Sequence, residues 1–157
     1  MHDKKEKEPL SEAATHLLEE CRTVLPGVQA LFGFQLIVVF NDTFQTKLNT
    51  LEKDLHLLAI GLIVISIALL MTPAAYHRQT DPEAVTERFI VLATRLLLLA
   101  MFPLMFALGL ESWLIARVIT NSIGLSVALA VMLVLLFSFL WFLLPRSKSL
   151  QRLLGSG

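Results

Sequence analysis

The sequence predicts an all-α membrane protein of four transmembrane helices with both termini cytoplasmic, preceded by an amphipathic N-terminal helix. Three observations predict it. Of 157 residues, 55% are hydrophobic and 17% charged, an apolar share above that of an ordinary globular domain. The apolar residues fall into four runs, each of a length that crosses a bilayer. Lys and Arg outside those runs are distributed unevenly between the two sides the runs define.

Residues 1–9 alternate Asp, Lys and Glu, bury nothing and are expected to form a disordered cytoplasmic tip. From Leu10, apolar residues recur at Ala14, Leu17, Leu18, Cys21 and Leu25 while Glu12, Glu19, Glu20 and Arg22 take the other side, the pattern of an amphipathic helix over 10–25. The transmembrane domain, 24–144, follows. Its first span, 24–40, is about 25 Å long at the helical rise, just enough to cross. The second span, 55–75, is expected to end at Thr72-Pro73, and the third, 89–110, carries Arg95 and Pro103 inside it. An outer amphipathic hairpin segment near Trp113 should lead to the fourth, 123–144, which holds no ionisable residue and stops at Pro145-Arg146, leaving 145–157 as a cytoplasmic tail. Trp113 and Trp141 lie near span ends, where indole rings favour the interface.

Orientation follows from the basic residues. Lys4, Lys5, Lys7, Arg22, Arg78, Arg88, Arg146, Lys148 and Arg152 fall on one side, against Lys47, Lys53 and Arg117 on the other, so the first group faces the cytoplasm. The opposite side carries Asp42, Glu52, Asp54 and Glu111. The first 22 residues have no apolar core of the signal-peptide kind, so the first span is expected to be its own insertion signal.

Several function classes are disfavoured. Net charge is zero and no basic block stands out, so nucleic acid is not an expected partner. The single cysteine, Cys21, has no Cys or His partners at metal-ligand spacing, and no metal or cofactor is expected. A Gly-rich phosphate loop, a nucleophile elbow and a metal-binding His pair are all missing, so an enzyme is the poorest class.

The informative residues are polar ones placed inside or at the edge of the bilayer, where each costs free energy unless paired or wetted. Arg95 lies about 9 Å inside the third span, as an anion site, an ion-pair partner or a side chain snorkelling to the headgroups. Arg88 is one heptad earlier on the same face. Gln29 and Gln35 sit in the first span about 120° apart, where interhelical glue is the plain account of either amide. Gly27, Ala30 and Gly33, with Gly124 and Ala128 on the fourth span, make faces small enough for close packing and for homo-oligomers. At the end of the second span, Tyr76, His77 and Arg78 follow the proline, and a lone boundary histidine is more often a headgroup contact than a pH sensor. Glu19, Glu20, Arg22, Gln29, Tyr76, His77, Arg78, Arg88 and Arg95 are therefore expected at similar depth, as one cytoplasmic cluster. None of the four spans as delimited contains a carboxylate, which disfavours cation exchange.

The stretch Leu17 to Arg22, then Gly27-Val28-Gln29-Ala30-Leu31-Phe32-Gly33-Phe34, with Phe40 and Phe44, resembles the opening of a family of small bacterial integral membrane proteins of unknown function. Pro73-Ala74-Ala75-Tyr76-His77-Arg78 is similar to that family's second signature. Some members carry a sodium:proton antiporter label by automatic transfer. The resemblance implies a bacterial inner membrane and four spans, and supplies no activity. The chain departs from the pattern at Pro26 and Gln35.

The expected function is a small ion channel or transporter-like protein acting as a homo-oligomer, anions slightly favoured, with Gln29, Tyr76, His77, Arg88 and Arg95 at its cytoplasmic mouth. Its partners would be the lipid bilayer, copies of itself and a small inorganic ion. The competing expectation is an interaction or stress-response accessory protein that uses the same cluster to bind another membrane protein or anionic lipid.

Overall fold

A computed structural model describes residues 9–80 and 85–147. The tip expected at 1–9 and the tail expected at 145–157 lie outside them but for Pro9 and residues 145–147. Among the described residues the chain is helical, without a strand: α1 Leu10–Val38, the short α2 Asp42–Lys47, α3 Thr50–Thr80, α4 Glu87–Thr120 and α5 Ile123–Ser138, which runs on through a π turn to a 3-10 turn ending at Arg146. Four of these helical stretches are long and apolar enough to cross a membrane, so this is a multi-pass membrane protein.

Thr72-Pro73 does not mark the end assigned to it, whereas Pro145-Arg146 does. The amphipathic segment and the first span are one helix, continuous through Pro26, and α3 runs past the buried Pro73 to Thr80. A proline inside a helix leaves one carbonyl without its N–H, and in transmembrane helices local adjustment and hydroxyl side chains make good the loss. The carbonyl that Pro73 leaves without its donor is that of Leu69; the Thr72 hydroxyl donates to the Ala68 carbonyl at 2.7 Å, one residue earlier. α4 likewise does not stop at Leu110. It continues to Thr120, where Asn121 turns left-handed at φ 51° and donates its N–H to the Arg117 carbonyl, so the hairpin segment expected near Trp113 is the last third of one helix. After α5, the Leu144 N–H reaches back five residues to the Phe139 carbonyl; Pro145 has no N–H to continue an α-helical ladder, and the coil tightens and ends.

The starts of α3, α4 and α5 are capped by side chains. Asn49 Oδ1 accepts the Glu52 N–H and Glu52 Oε2 accepts the Asn49 N–H, both at 3.0 Å, a reciprocal box that fixes the start of α3. Thr86 and Ser122 accept N–H groups at the starts of α4 and α5.

The buried residues of α1, Ala14, Cys21, Val28 and Gln35, recur every seven positions. Those of α3, Glu52, His56, Ala59, Ile63, Ser66, Leu70 and Pro73, alternate steps of four and three, and Ala93, Ala100 and Ala107 of α4 again step by seven. A period of 3.5 keeps one narrow stripe against a neighbour over many turns. The α4 stripe is alanine and the facing α3 stripe includes Ala59 and Ser66, so α3 lies close against α4, near enough for the Ser66 hydroxyl to donate to the Ala100 carbonyl at 3.0 Å, and α1 packs against both. Cys21, Val28, Ile63, Leu70, Leu97, Ala100 and Ala107 form the main core. α5 packs on the outside of α4, where a Cβ at Gly109 would stand 2.7 Å from Val134 Cγ2, and Ser126 is its one buried residue.

The seam gives a testable consequence. Ala100→Leu should cost about 1–3 kcal/mol of stability by overpacking, whereas Ala68→Leu on the exposed side of α3 should stay within about 0.5 kcal/mol. Detergent-induced unfolding followed by circular dichroism measures both.

Candidate functional site

The connection between α1 and α3 gathers three polar side chains that no neighbouring spacing links. Gln35 is three residues from the end of α1, so its carbonyl is one of the four that a helix C-terminus leaves without an intrahelical donor. His56, about 9 Å into α3, fills that vacancy: Nε2 stands 3.1 Å from the Gln35 carbonyl oxygen. Nδ1 of the same ring stands 2.9 Å from Glu111 Oε1 on α4. His56 is 2% exposed, Gln35 6%, and the Glu111 side chain 20%. One imidazole thus ties three helices.

The chemistry of the partners fixes the proton count. A carbonyl oxygen only accepts, so Nε2 must carry a hydrogen. Nδ1 and a carboxylate oxygen at 2.9 Å then need one more proton between them, held as imidazolium and carboxylate or as imidazole and carboxylic acid. Both forms are neutral overall. Without that proton a nitrogen lone pair and an oxyanion would face each other at hydrogen-bonding distance. The Gln35 carboxamide lies beside the Glu111 carboxylate, yet its Nε2 and Oε1, both buried, make no well-formed hydrogen bond among the described residues.

Around this pair the end of the bundle is braced. Phe44 of α2, buried, sets its ring edge on to His56 with centroids 5.0 Å apart. Lys53 donates to the Gln45 carbonyl at 3.0 Å, which pins α2 to α3. Glu52, one turn before His56 on the same face, meets Arg117 Nε at 3.5 Å while it caps α3. A groove of about 330 Å³ opens over His56 and Glu111. A larger groove of about 390 Å³ between α4 and α5 is lined by apolar residues and Gly109, and offers no chemistry.

The cluster expected at the opposite end of the bundle is only partly assembled. Arg22, His77 and Arg78 line one groove of about 390 Å³ between α1 and α3, with Cys21, Leu25 and Leu70 beneath them. Tyr76 and His77 rest on the ring of Phe89, at centroid distances of 6.2 and 5.2 Å. Arg88 and Arg95 share a different groove, about 340 Å³ and shallow, on the outer face of α4. Both are exposed, so the Arg95 side chain does not point into the chain's own core. Gln29, Glu19 and Glu20 are exposed on α1. Among the described residues no group of three metal-ligating side chains forms.

Sequence reasoning reached Gln35 and passed over His56 and Glu111. His56 stands in the second turn of an apolar span, a titratable group that the expense of intramembrane charge should have marked. Glu111 was assigned to the outer surface because the third span was ended at Leu110; α4 continues to Thr120, so its carboxylate stands on the same helix as that span, one residue past the end assigned to it.

Leaving one buried partner unpaired costs about 3–5 kcal/mol, whereas replacing both with apolar groups is near neutral. His56→Leu alone should therefore destabilise by about that amount, and the His56→Leu/Glu111→Leu pair should recover most of it. A double-mutant cycle in detergent unfolding reads the difference.

No curated protein and no solved structure matches the chain. A family described as of unknown function, DUF6328, matches over residues 3–145, nearly the whole sequence, and the chain belongs to that family.

Proposed function

We propose that this is a small transporter-like protein of a bacterial cytoplasmic membrane, with both termini cytoplasmic, that works as a homo-oligomer and exchanges protons through Gln35, His56 and Glu111. The observation that carries the reading is the His56–Glu111 contact at 2.9 Å between two helices of the bundle. Ionisable groups on membrane helices are expensive, and a pair that needs one shared proton is suited to taking up and releasing it. The reading includes no catalytic role.

Oligomerisation is part of the proposal for two reasons. Ala59, Ile63, Ala93, Ala100 and Ala107 are at most 1% exposed, so the core of a single chain is filled by apolar side chains. Gly27, Ala30, Gly124 and Ala128 are exposed instead, and a Cβ at either glycine would meet nothing. Small outward faces of this kind let membrane helices of separate chains approach closely. Arg88 and Arg95, which supported an anion preference, face outward as well and would act on an ion only where a second chain covers them.

A second reading, a non-transporting accessory protein, is favoured by the same filled core. Arg22, His77 and Arg78 would be its contact to an acidic partner.

Proteoliposomes with an internal pH dye, tested under potassium and chloride gradients separately, decide among these. Proton flux should fall at least about tenfold in Glu111→Gln and His56→Gln and persist in Arg95→Ala. Chloride flux lost or reselected in Arg95→Ala, with Glu111→Gln silent, would move the pathway to the α4 arginines. Absence of any flux across a range of pH leaves the accessory reading, and light scattering that finds monomers in native-like lipid removes the oligomer.

A further inference from the structure

The groove over Glu111 has the make-up of a binding site. It lies between the end of α1, α2, the start of α3 and the last third of α4, with walls that include Val38, Leu48, Leu114 and Ile115. At about 330 Å³ it falls within the range of small-molecule pockets, which are mostly apolar with a few placed polar groups. Here the titratable lining groups are His56 and Glu111.

Charge decides what such a groove accepts. The carboxylate is one-fifth exposed, and no Lys or Arg lines the space. Nearby charges are otherwise engaged or turned away: Arg117 with Glu52, Lys53 with the Gln45 carbonyl, and Asp42, Lys47 and Asp54 exposed. An anion would meet a carboxylate, and a neutral apolar body would leave the His56–Glu111 pair with its shared proton and make use of neither group. A bare inorganic cation demands a shell of several oxygen ligands, whereas these walls are mainly hydrocarbon. An ammonium head on an apolar body needs one carboxylate and hydrocarbon walls, and Phe44, which also lines the groove, offers a ring to the cation.

We propose that this groove binds an amphipathic organic cation, whose positive head takes the place of the proton held between His56 and Glu111. The inference rests on the proton-exchange reading of the same site and gives it a substrate class. The exchange balances: the cation enters, Glu111 remains a carboxylate, neutral His56 keeps its Nε2 hydrogen on the Gln35 carbonyl, and one proton leaves to water. Site charge is zero before and after. The unpartnered Gln35 amide supports this independently of the groove, since it is buried beside Glu111 and holds N–H donors in reserve for the oxygen that the imidazole stops serving.

Binding of radiolabelled benzyltrimethylammonium to the full chain in lipid nanodiscs tests the inference, with neopentylbenzene, its uncharged carbon isostere, as competitor. Binding should be saturable, weaken by up to about tenfold per unit of falling pH where one proton competes for the site, and release up to one proton per cation bound. Glu111→Gln should weaken it at least about tenfold, and His56→Gln, in which Glu111 alone can hold the competing proton, should bind with the pH dependence displaced from that of the wild type. Equal competition by neopentylbenzene, or unchanged binding in a monodisperse Glu111→Gln protein, would show an apolar groove fit for an acyl chain and overturn the inference. Failure of the wild type to bind saturably between pH 5 and 9 would overturn it too. Binding requires no transport: a cation that displaces a proton in a protein without flux upholds the site and sinks the transport reading, while proton flux without cation binding does the reverse.

Discussion

Hydrocarbon supplies no hydrogen bonds, so each polar group carried into the bilayer must be met from within the protein. The same need arises for any group buried in the bundle, and in this chain it is met most visibly where α1 ends. The final turn presents carbonyls with no intrahelical donor, and the Gln35 carbonyl is met by a histidine from α3. That bond commits one imidazole nitrogen, leaves the other for Glu111, and so fixes which three helices meet and at what height. The cap of α3, the Glu52–Arg117 pair and the docking of Phe44 all follow at the same end.

Away from that end, the bundle is held by shape. Buried residues at a 3.5 period, alanine along α4, bring α1, α3 and α4 together, and dispersion between closely packed helices replaces the hydrophobic drive that lipid cannot provide. Ser66 adds one hydrogen bond across the α3–α4 seam without needing space. α5 contributes little to this seam, being apolar on nearly all sides and buried at Ser126. The result is a three-helix core with a fourth helix against its flank.

The two polar ends differ in kind. The Arg22, His77 and Arg78 groove is open, and its charges reach outward, as boundary side chains do. The Gln35, His56 and Glu111 group is closed on most sides and its proton count is set by geometry. Exposed charges at a membrane surface hold a protein in place or attract a partner, whereas an enclosed pair changes state when a proton or a competing cation arrives.

Membrane class, four spans and the helical period were legible in the sequence, because apolar run length and periodicity are local properties that the bilayer selects directly. Gln35 was legible for the same reason, as an amide inside an apolar run. Helix ends were less so: Thr72-Pro73 read as an end although α3 continues to Thr80, and Leu110 read as an end although α4 continues for ten residues. The meeting of His56 with Glu111 was left to the tertiary structure. Fifty-five positions separate the two, on antiparallel helices, and only the register of the α3–α4 seam brings a nitrogen of one to 2.9 Å from an oxygen of the other. By itself the sequence determined that these side chains would be costly in a membrane; packing decided which of them would meet that cost together.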